Sequence, residues 1–533
     1  MSKLSYMFQR RKNKKSGETT EKEIFDKEGI PKDYDPKLEI NLKSLHELFY
    51  QTSDYQKIDI KIGSRNGCVC YLGTTLNKNE LNSQVLEPLR GAFKEAKEND
   101  KDIEKIREAY FPAVAYEYAQ TLHQIVWQML NGFAVILVDE HMKALGLNIG
   151  GMDKRSISEP STQTIIRGPK DGFVEDIDTN IGLVRKRIKN PRLVFENFHV
   201  GMDSHTKLVI GYMKGIVNED ILDEVKQRVQ KIKTSGVLDT GNIEEFITDD
   251  NYTFFPLIFN TERPDSISGN LLEGKIAIFL DGTPFVLIVP SVFTDFFQST
   301  EDYYQPFFMT SFIRIIRYIA FMIALTFPSL YVAITTYHHE LLPTPLLISV
   351  QGQREGVPFP AVIEILIMEL TFEVLREAGV RMPRAVGQTL SIVGALVIGQ
   401  AAVEAGLVSN VLVIVVSFSA IASFVSPIYN FSIAARLIRF ILIFMAASLG
   451  LYGILISLII MVIHLVSLRT FGVPYLTPVA PFKLKDQKDV FIRFPIWSDR
   501  NRPSYLVTDA PVKEKGSSAP SPPDSSSRGE NSK

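Results

Sequence analysis

Hydrophobic and polar positions change their period along this chain, and the changes divide it. KIDIKI (Lys57–Ile62) and CVCYLG (Cys68–Gly73) alternate with period two and read as paired strands turned between Gly63 and Gly67. A helical pattern is predicted from about Ile103 to Leu130, and FAVILVD (Phe133–Asp139) reads as a buried strand. A second unit starts near Gly146. It holds a helix around Thr179–Ile188, a strand at Thr206–Met213, and a helix at Glu219–Lys231. In it KIAIFL and FVLIVP flank Asp281-Gly282-Thr283-Pro284, a strong hairpin signal.

From Ser311 to Thr470 the alternation gives way to long stretches almost free of charge. A membrane-spanning helix needs roughly 20 apolar residues, and Phe312–Ala333, Ala385–Ala405 and Val408–Ser426 qualify. Ile433–Leu468 is long enough for two helices divided at Gly450–Gly453. Basic residues gather at Arg314/Arg317, Arg376/Arg381/Arg384, Arg436/Arg439 and Arg469 with Lys483, Lys485 and Lys488. If all of these face the cytoplasm, FPAVIEILIMELTFEVL must cross as well, with Glu364, Glu369 and Glu373 inside it. Carboxylates at that depth must face protein or water. The segment is therefore either a crossing helix shielded inside an assembly, the favoured reading, or an amphipathic re-entrant piece. Six crossings leave both termini cytoplasmic.

The predicted fold class is thus multi-domain, α/β plus membrane α-helical. A tail (1–40) precedes two cytoplasmic α/β subdomains (41–140 and 141–300). A bundle of about five to six transmembrane helices follows (301–475), then a cytoplasmic C-terminal tail (476–533), disordered after about residue 503.

Composition adds mainly exclusions. The 533 residues carry a formal net charge of −2, and a mean hydropathy near zero averages two unlike halves. No concentrated basic face points to nucleic acid. The N-terminal cluster Arg10, Arg11, Lys12, Lys14 and Lys15 is solvated or touches anionic lipid; it lacks the apolar stretch of a signal peptide. Cys68 and Cys70 share a strand face, more simply as two half-buried side chains than as a metal or redox pair. There is no phosphate loop, HExxH or Cys/His metal spacing, and no nucleophile–base–acid arrangement. His338-His339 reads as a loop pair. RGPKDGF (Arg167–Phe173) reads as a turn-rich connector before a ligand loop. No enzyme activity, cofactor or metal is expected, which leaves transport, gating and signalling.

The segment AVGQTLSIVGALVIGQAAVEA has two faces. At about 100° per residue, Gly387, Ser391, Gly394, Ala395, Ala402 and Ala405 share one face, where small residues let helices pack closely in lipid. Val386, Val393, Val397, Gln400 and Glu404 lie roughly opposite. Apolar rings can gate a pore and polar rings at its mouth recruit cations; alternatively, Gln400 and Glu404 sit at the membrane interface.

Several long segments resemble the A subunits of the GerA-type spore germination receptors. They are IIRGPKDGFVEDIDTNIGLVRKRIKNPRL, RPDSISGNLLEGKIAIFLDGTPFVLIVP, EDYY, HHELLPTPLLISV, the stretch from VPFPAVIEIL to VEAGLVS, and FGVPYLTPVAPF. The resemblance covers about Asn41 to Phe482 and departs from the family's acidic pattern at Gln163. It implies a multi-pass membrane subunit of a nutrient receptor in the inner spore membrane, working with a transporter-like B subunit and a lipoprotein C subunit. It further implies a homo-oligomer forming a ligand-gated cation channel, with Val386, Val393, Val397, Gln400 and Glu404 lining the path. The open alternative is a non-conducting scaffold that relays the signal.

Overall fold

The computed structural model describes residues 34–62, 65–90, 103–151, 159–160, 162–381, 397–498, 501–506 and 511–513. The first unit runs α1 (Leu38–Phe49), β1 (Tyr55–Ile62), β2 (Arg65–Leu72), α2 (Ile103–Tyr110), β3 (Tyr116–Ala119), α3 (Leu122–Leu130), β4 (Phe133–Val138) and β5 (Ala144–Asn148). Its antiparallel sheet has the order β1-β2-β4-β5-β3. The helix expected over Ile103–Leu130 is broken into α2, β3 and α3. Pro112 lacks the N–H that a continuing helix needs, and the alternating Tyr116 and Tyr118 pair with Leu147 and Leu145 as an edge strand. The first sheet runs to Asn148, past the boundary placed at residue 140.

The second unit runs α4 (Ile177–Arg187), β6 (Leu193–Val200), β7 (Thr206–Met213), α5 (Glu219–Gln230), α6 (Thr240–Ile247), β8 (Phe259–Thr261), α7 (Pro264–Glu273), β9 (Ile276–Leu280) and β10 (Val286–Val289). Its order, β6-β7-β9-β10-β8, reproduces that of the first sheet strand for strand, again antiparallel. Period two places Leu208 and Ile210 against Val225 and Ile243 on one face. Val209 and Met213 meet Ile181 and Leu271 on the other. Helices therefore cover both faces of the sheet. In the first sheet Cys68 and Cys70 are fully buried, not half-buried, beside Leu45 of α1 and Met129 of α3, with their sulfurs 3.7 Å apart.

The two units are joined by Arg185, whose Nη2 and Nε donate to Asp54 at 2.9 and 3.2 Å while Nη1 donates to the Leu193 carbonyl at 2.9 Å. Both charged side chains are sealed from solvent. The Arg167–Phe173 segment is a packed connector: Pro169 O accepts from Arg263 at 2.9 Å. A Cβ on Gly168 would come within 2.7 Å of the Tyr304 ring, at a φ of 141°.

The apolar half contains α8 (Phe307–Thr336), α9 (Thr344–Arg354), α10 (Ala361–Arg381), α11 (Asn410–Ser423), α12 (Tyr429–Leu449) and α13 (Leu451–Ser467). Two of these, α8 and α12, are long and apolar enough to cross a membrane, and α11 and α13 are shorter apolar helices. At 1.5 Å per residue, α10 is roughly 30 Å long, but its glutamates and arginines set it apart. The turn between α12 and α13 depends on glycine. Gly450 has φ 61° and ψ −139°, a region costly for any side chain. A Cβ on Gly453 would fall 2.0 Å from the Met445 carbonyl oxygen.

After α13 a short hairpin, β11 (Arg469–Thr470) and β12 (Val473–Pro474), returns to the second unit. Phe471 takes the unusual φ of 48°. Its N–H donates to Asp249 at 2.6 Å and its ring lies 4.5 Å from the Arg228 guanidinium. The chain then docks across the start of α8.

Candidate functional site

Sequence reasoning singled out three carboxylates, and the structure gives each an arginine. Glu364 is fully buried. Its Oε1 accepts from Arg354 at the end of α9 at 3.2 Å, and its Oε2 from the Ser409 N–H at 3.3 Å. Ser409 caps α11 through the Leu412 N–H, so the carboxylate sits at a helix N-terminus, where negative charge is favoured. Glu369 meets Arg439 at 3.2 Å, each side chain 3% exposed. Glu373 meets Arg436 at 2.5 Å and lies 4.0 Å from Arg376. One turn forward on α10 matches one turn backward on α12, so the two helices run antiparallel, fastened by two ion pairs. Arg439 also donates to Ser419 of α11, and Arg376 to Ser423 at 2.7 Å.

The shielding asked of Glu364 and Glu369 therefore comes from within the chain, whereas Glu373 stays 37% exposed. The network is incomplete: Glu369 Oε1 and the Nε atoms of Arg436 and Arg439 are buried and make no hydrogen bond among the described residues. Arg436 and Arg439 were read from sequence only as orientation markers. Their i, i+3 spacing opposite Glu369 and Glu373 at i, i+4 was the available signal, but it does not name the partner across more than sixty residues.

Of the two-faced segment, Val386, Gly387, Ser391, Val393, Gly394 and Ala395 lie outside the described residues. Residues 397–404 are helical. Val397 is 55% exposed, and Gln400 and Glu404, also exposed, are joined by a 3.0 Å hydrogen bond. Ala402 and Val403 pack on the core, and Gly399 faces Val413, where a Cβ would sit at 3.6 Å. His338 and His339 bond backbone carbonyls of α8. Among the described residues no three His, Cys, Asp or Glu side chains gather as a metal site.

The α/β units and the apolar helices meet in aromatic rings. Phe431 of α12 is fully buried against Phe296 (5.4 Å, stacked), Phe297 (5.0 Å) and Phe321 of α8 (5.0 Å). Such pairs contribute about 0.5–1.5 kcal/mol each beyond their buried area. Beside them Arg314, sealed from solvent, bonds Asp302 at 3.0 Å and Asp489 of the C-terminal segment at 2.8 Å. Tyr304 donates to Asp265 at 2.8 Å; burial, with that carboxylate, raises its phenol pKa. Sequence reasoning missed this junction because its rings come from three distant segments.

A double α/β unit packed through an aromatic joint against apolar helices, two of them long and apolar enough to cross a membrane, describes the architecture. The family is more specific. The family model for the Bacillus/Clostridium GerA spore germination protein matches residues 43–505, and the chain belongs to that family. It is 44% identical to spore germination protein KA of Bacillus subtilis (strain 168), over 91% of this chain and 90% of the relative. Spore germination protein GerLA of Bacillus cereus is 40% identical over 85% of this chain and 92% of its own. An uncharacterized membrane protein of Bacillus subtilis, YfkQ, is 42% identical over 90% and 93%. A solved structure, the N-terminal domain of the A subunit of the Bacillus megaterium spore germinant receptor GerK3, aligns at 30% identity. It spans 49% of this chain and 98% of that one, with a TM-score of 0.39.

Proposed function

We propose that this chain is the A-type subunit of a nutrient receptor in the inner spore membrane, crossing the bilayer six times with both termini cytoplasmic. Several copies surround a cation path lined by the 385–405 helix, and the path opens when nutrient is sensed. A B-type transporter-like subunit and a C-type lipoprotein complete the receptor. The observation that carries this reading is the sidedness of residues 397–404: Val397, Gln400 and Glu404 are exposed in the single chain while Gly399, Ala402 and Val403 turn inward. A glutamine and a carboxylate directed into lipid would be costly, whereas around a shared axis they would recruit cations. The antiparallel pairing of α10 with α12 agrees with α10 as a further crossing.

The test is made in spores. Val397→Ala, which widens the constriction, should leak cations and impair dormancy. If Val393→Ala and Val397→Ala spores both remain silent and fully nutrient-dependent, those valines do not gate. A second reading has its own support. The Phe431 joint and the Arg314 clamp would transmit movement whether or not the chain conducts, as a scaffold requires. Purified chain that oligomerises yet passes no ions would favour the scaffold.

A further inference from the structure

Where the second α/β unit meets the apolar helices, a cavity of about 300 Å³ opens between Gln163, Ser299, Thr300, Arg317 and the Ser426–Ile428 link from α11 to α12. We propose that it is an anion site for a phosphate group, carried by a phospholipid headgroup or free in solution.

The argument rests on which hydrogen-bonding groups remain unused. The Arg317 side chain is only 10% exposed. Its Nη1 donates to Phe297 O at 3.1 Å and to Asp302 Oδ2 at 2.8 Å. Nε and Nη2 have no partner among the described residues, yet neither is sealed off. The Asp302 oxygen is already saturated, since Arg314 Nε and Nη2 and the Ser299 N–H also reach it. Arg317 is thus held at one corner with an open guanidinium edge, a geometry suited to an oxyanion.

Two hydroxyls beside it are also left as donors, whereas Thr162 and Ser426 already give theirs to Glu262 and to the Ile428 carbonyl. Thr300 Oγ1 accepts from Arg263 Nε at 3.1 Å, and Ser299 Oγ accepts from the Glu301 N–H at 3.4 Å; each keeps its own proton to give. The Gln163 amide gives one N–H to Asn260 O and accepts from Thr261 at its oxygen. An open guanidinium edge with the Ser299 and Thr300 protons beside it fits a group that only accepts. One opposing charge lines it: Glu301, which accepts from Gln305 at 2.6 Å. The volume suits a small headgroup.

The position selects between sources. Arg317 lies near the start of α8 and Ser426 at the α11–α12 link, the level at which a helix bundle leaves the bilayer. Basic pockets there take anionic lipid headgroups. Only this lipid arm rests on the membrane reading above; the phosphate arm does not.

The test uses the full chain, purified in detergent and stripped of lipid, with binding followed by native mass spectrometry and by the thermal unfolding midpoint. The probes are phosphatidylglycerol, phosphatidylcholine and inorganic phosphate at constant ionic strength. The variants are Arg317→Gln, Ser426→Glu, which adds a carboxylate without removing the Arg317 bonds, and Glu301→Gln. The lost charge-assisted bond in Arg317→Gln and the added like charge in Ser426→Glu should each weaken binding at least about tenfold, and Glu301→Gln should tighten it. That ranking with phosphatidylglycerol alone assigns a lipid, and with inorganic phosphate alone a free anion. Equal affinity across wild type, Ser426→Glu and Glu301→Gln for every probe, or no preference for phosphatidylglycerol or phosphate over phosphatidylcholine, overturns the proposal even if Arg317→Gln fails to fold.

Discussion

Replacing Glu369 by glutamine keeps its shape and removes its charge. Two unit charges 3.2 Å apart attract by roughly 5 kcal/mol at an effective dielectric of about 20. The pair's net contribution is far smaller, because both groups left water to form it. The variant does not restore that water. It leaves Arg439, 3% exposed, with Ser419 as its remaining side-chain partner and a buried Nε already without one. Breaking a buried pair from one side costs about 3–5 kcal/mol, whereas replacing both partners by apolar residues is often neutral or stabilising by about 1–4. Glu369→Gln should therefore lose about 3–5 kcal/mol. Glu369→Leu with Arg439→Met should regain most of it, a large coupling in a double-mutant cycle. Glu377 and Arg381, on the same helix but 53% and 78% exposed, supply the control, where Glu377→Gln should cost about 0.5 kcal/mol or less. The assay is reversible denaturant unfolding of the purified chain in one detergent, followed by circular dichroism. If Glu369→Gln behaves like Glu377→Gln, or the cycle shows no coupling, the α10–α12 pairing described here is wrong.

Other outcomes are accessible in the same assay. Asp54→Asn strands Arg185 in the joint between the α/β units and should cost about 3–5 kcal/mol, with the two units separating in a limited-proteolysis pattern that wild type lacks. Gly450→Ala forces a side chain to φ 61°, ψ −139° and sets a Cβ 2.7 Å from the His338 ring. It should destabilise by at least about 1–3 kcal/mol, and a neutral result would mean that the α12–α13 turn is built otherwise. Burial, then Asp239 and Glu245, push the Glu244 pKa up to about 7 from 4.5. The folded state then holds more protons than the unfolded between those values, so stability falls as pH rises from about 4.5 to 7. Glu244→Gln should unfold later than wild type at pH 8 and flatten that slope; an unchanged slope would refute the burial.

How much was legible depended on distance along the chain. β1 with β2 and β9 with β10 could be read because period two and a turn lie within twenty residues of each other. β3 could not, since Tyr116–Ala119 pairs only with β5 and sits between two helical patterns that merge by eye. The repetition of one sheet topology resides in strand order, which depends on pairings between distant strands. Glu364, Glu369 and Glu373 announced that they needed shielding, since a carboxylate in an apolar run has few stable settings. Which arginines supply it depends on the packing of α10 against α12. Phe431 lies between two predicted spans and carried no signal, because its partners Phe296, Phe297 and Phe321 are more than a hundred residues away.

The central claim is conduction by several copies of this chain, and ion flux from potassium-loaded liposomes containing the purified full-length protein tests it most directly. The account predicts cation efflux above that of protein-free liposomes, raised by Val397→Ala and reduced in cation preference by Glu404→Gln. Wild type and Val397→Ala both at the protein-free level, in vesicles where the chain is cross-linked as an oligomer, would contradict it.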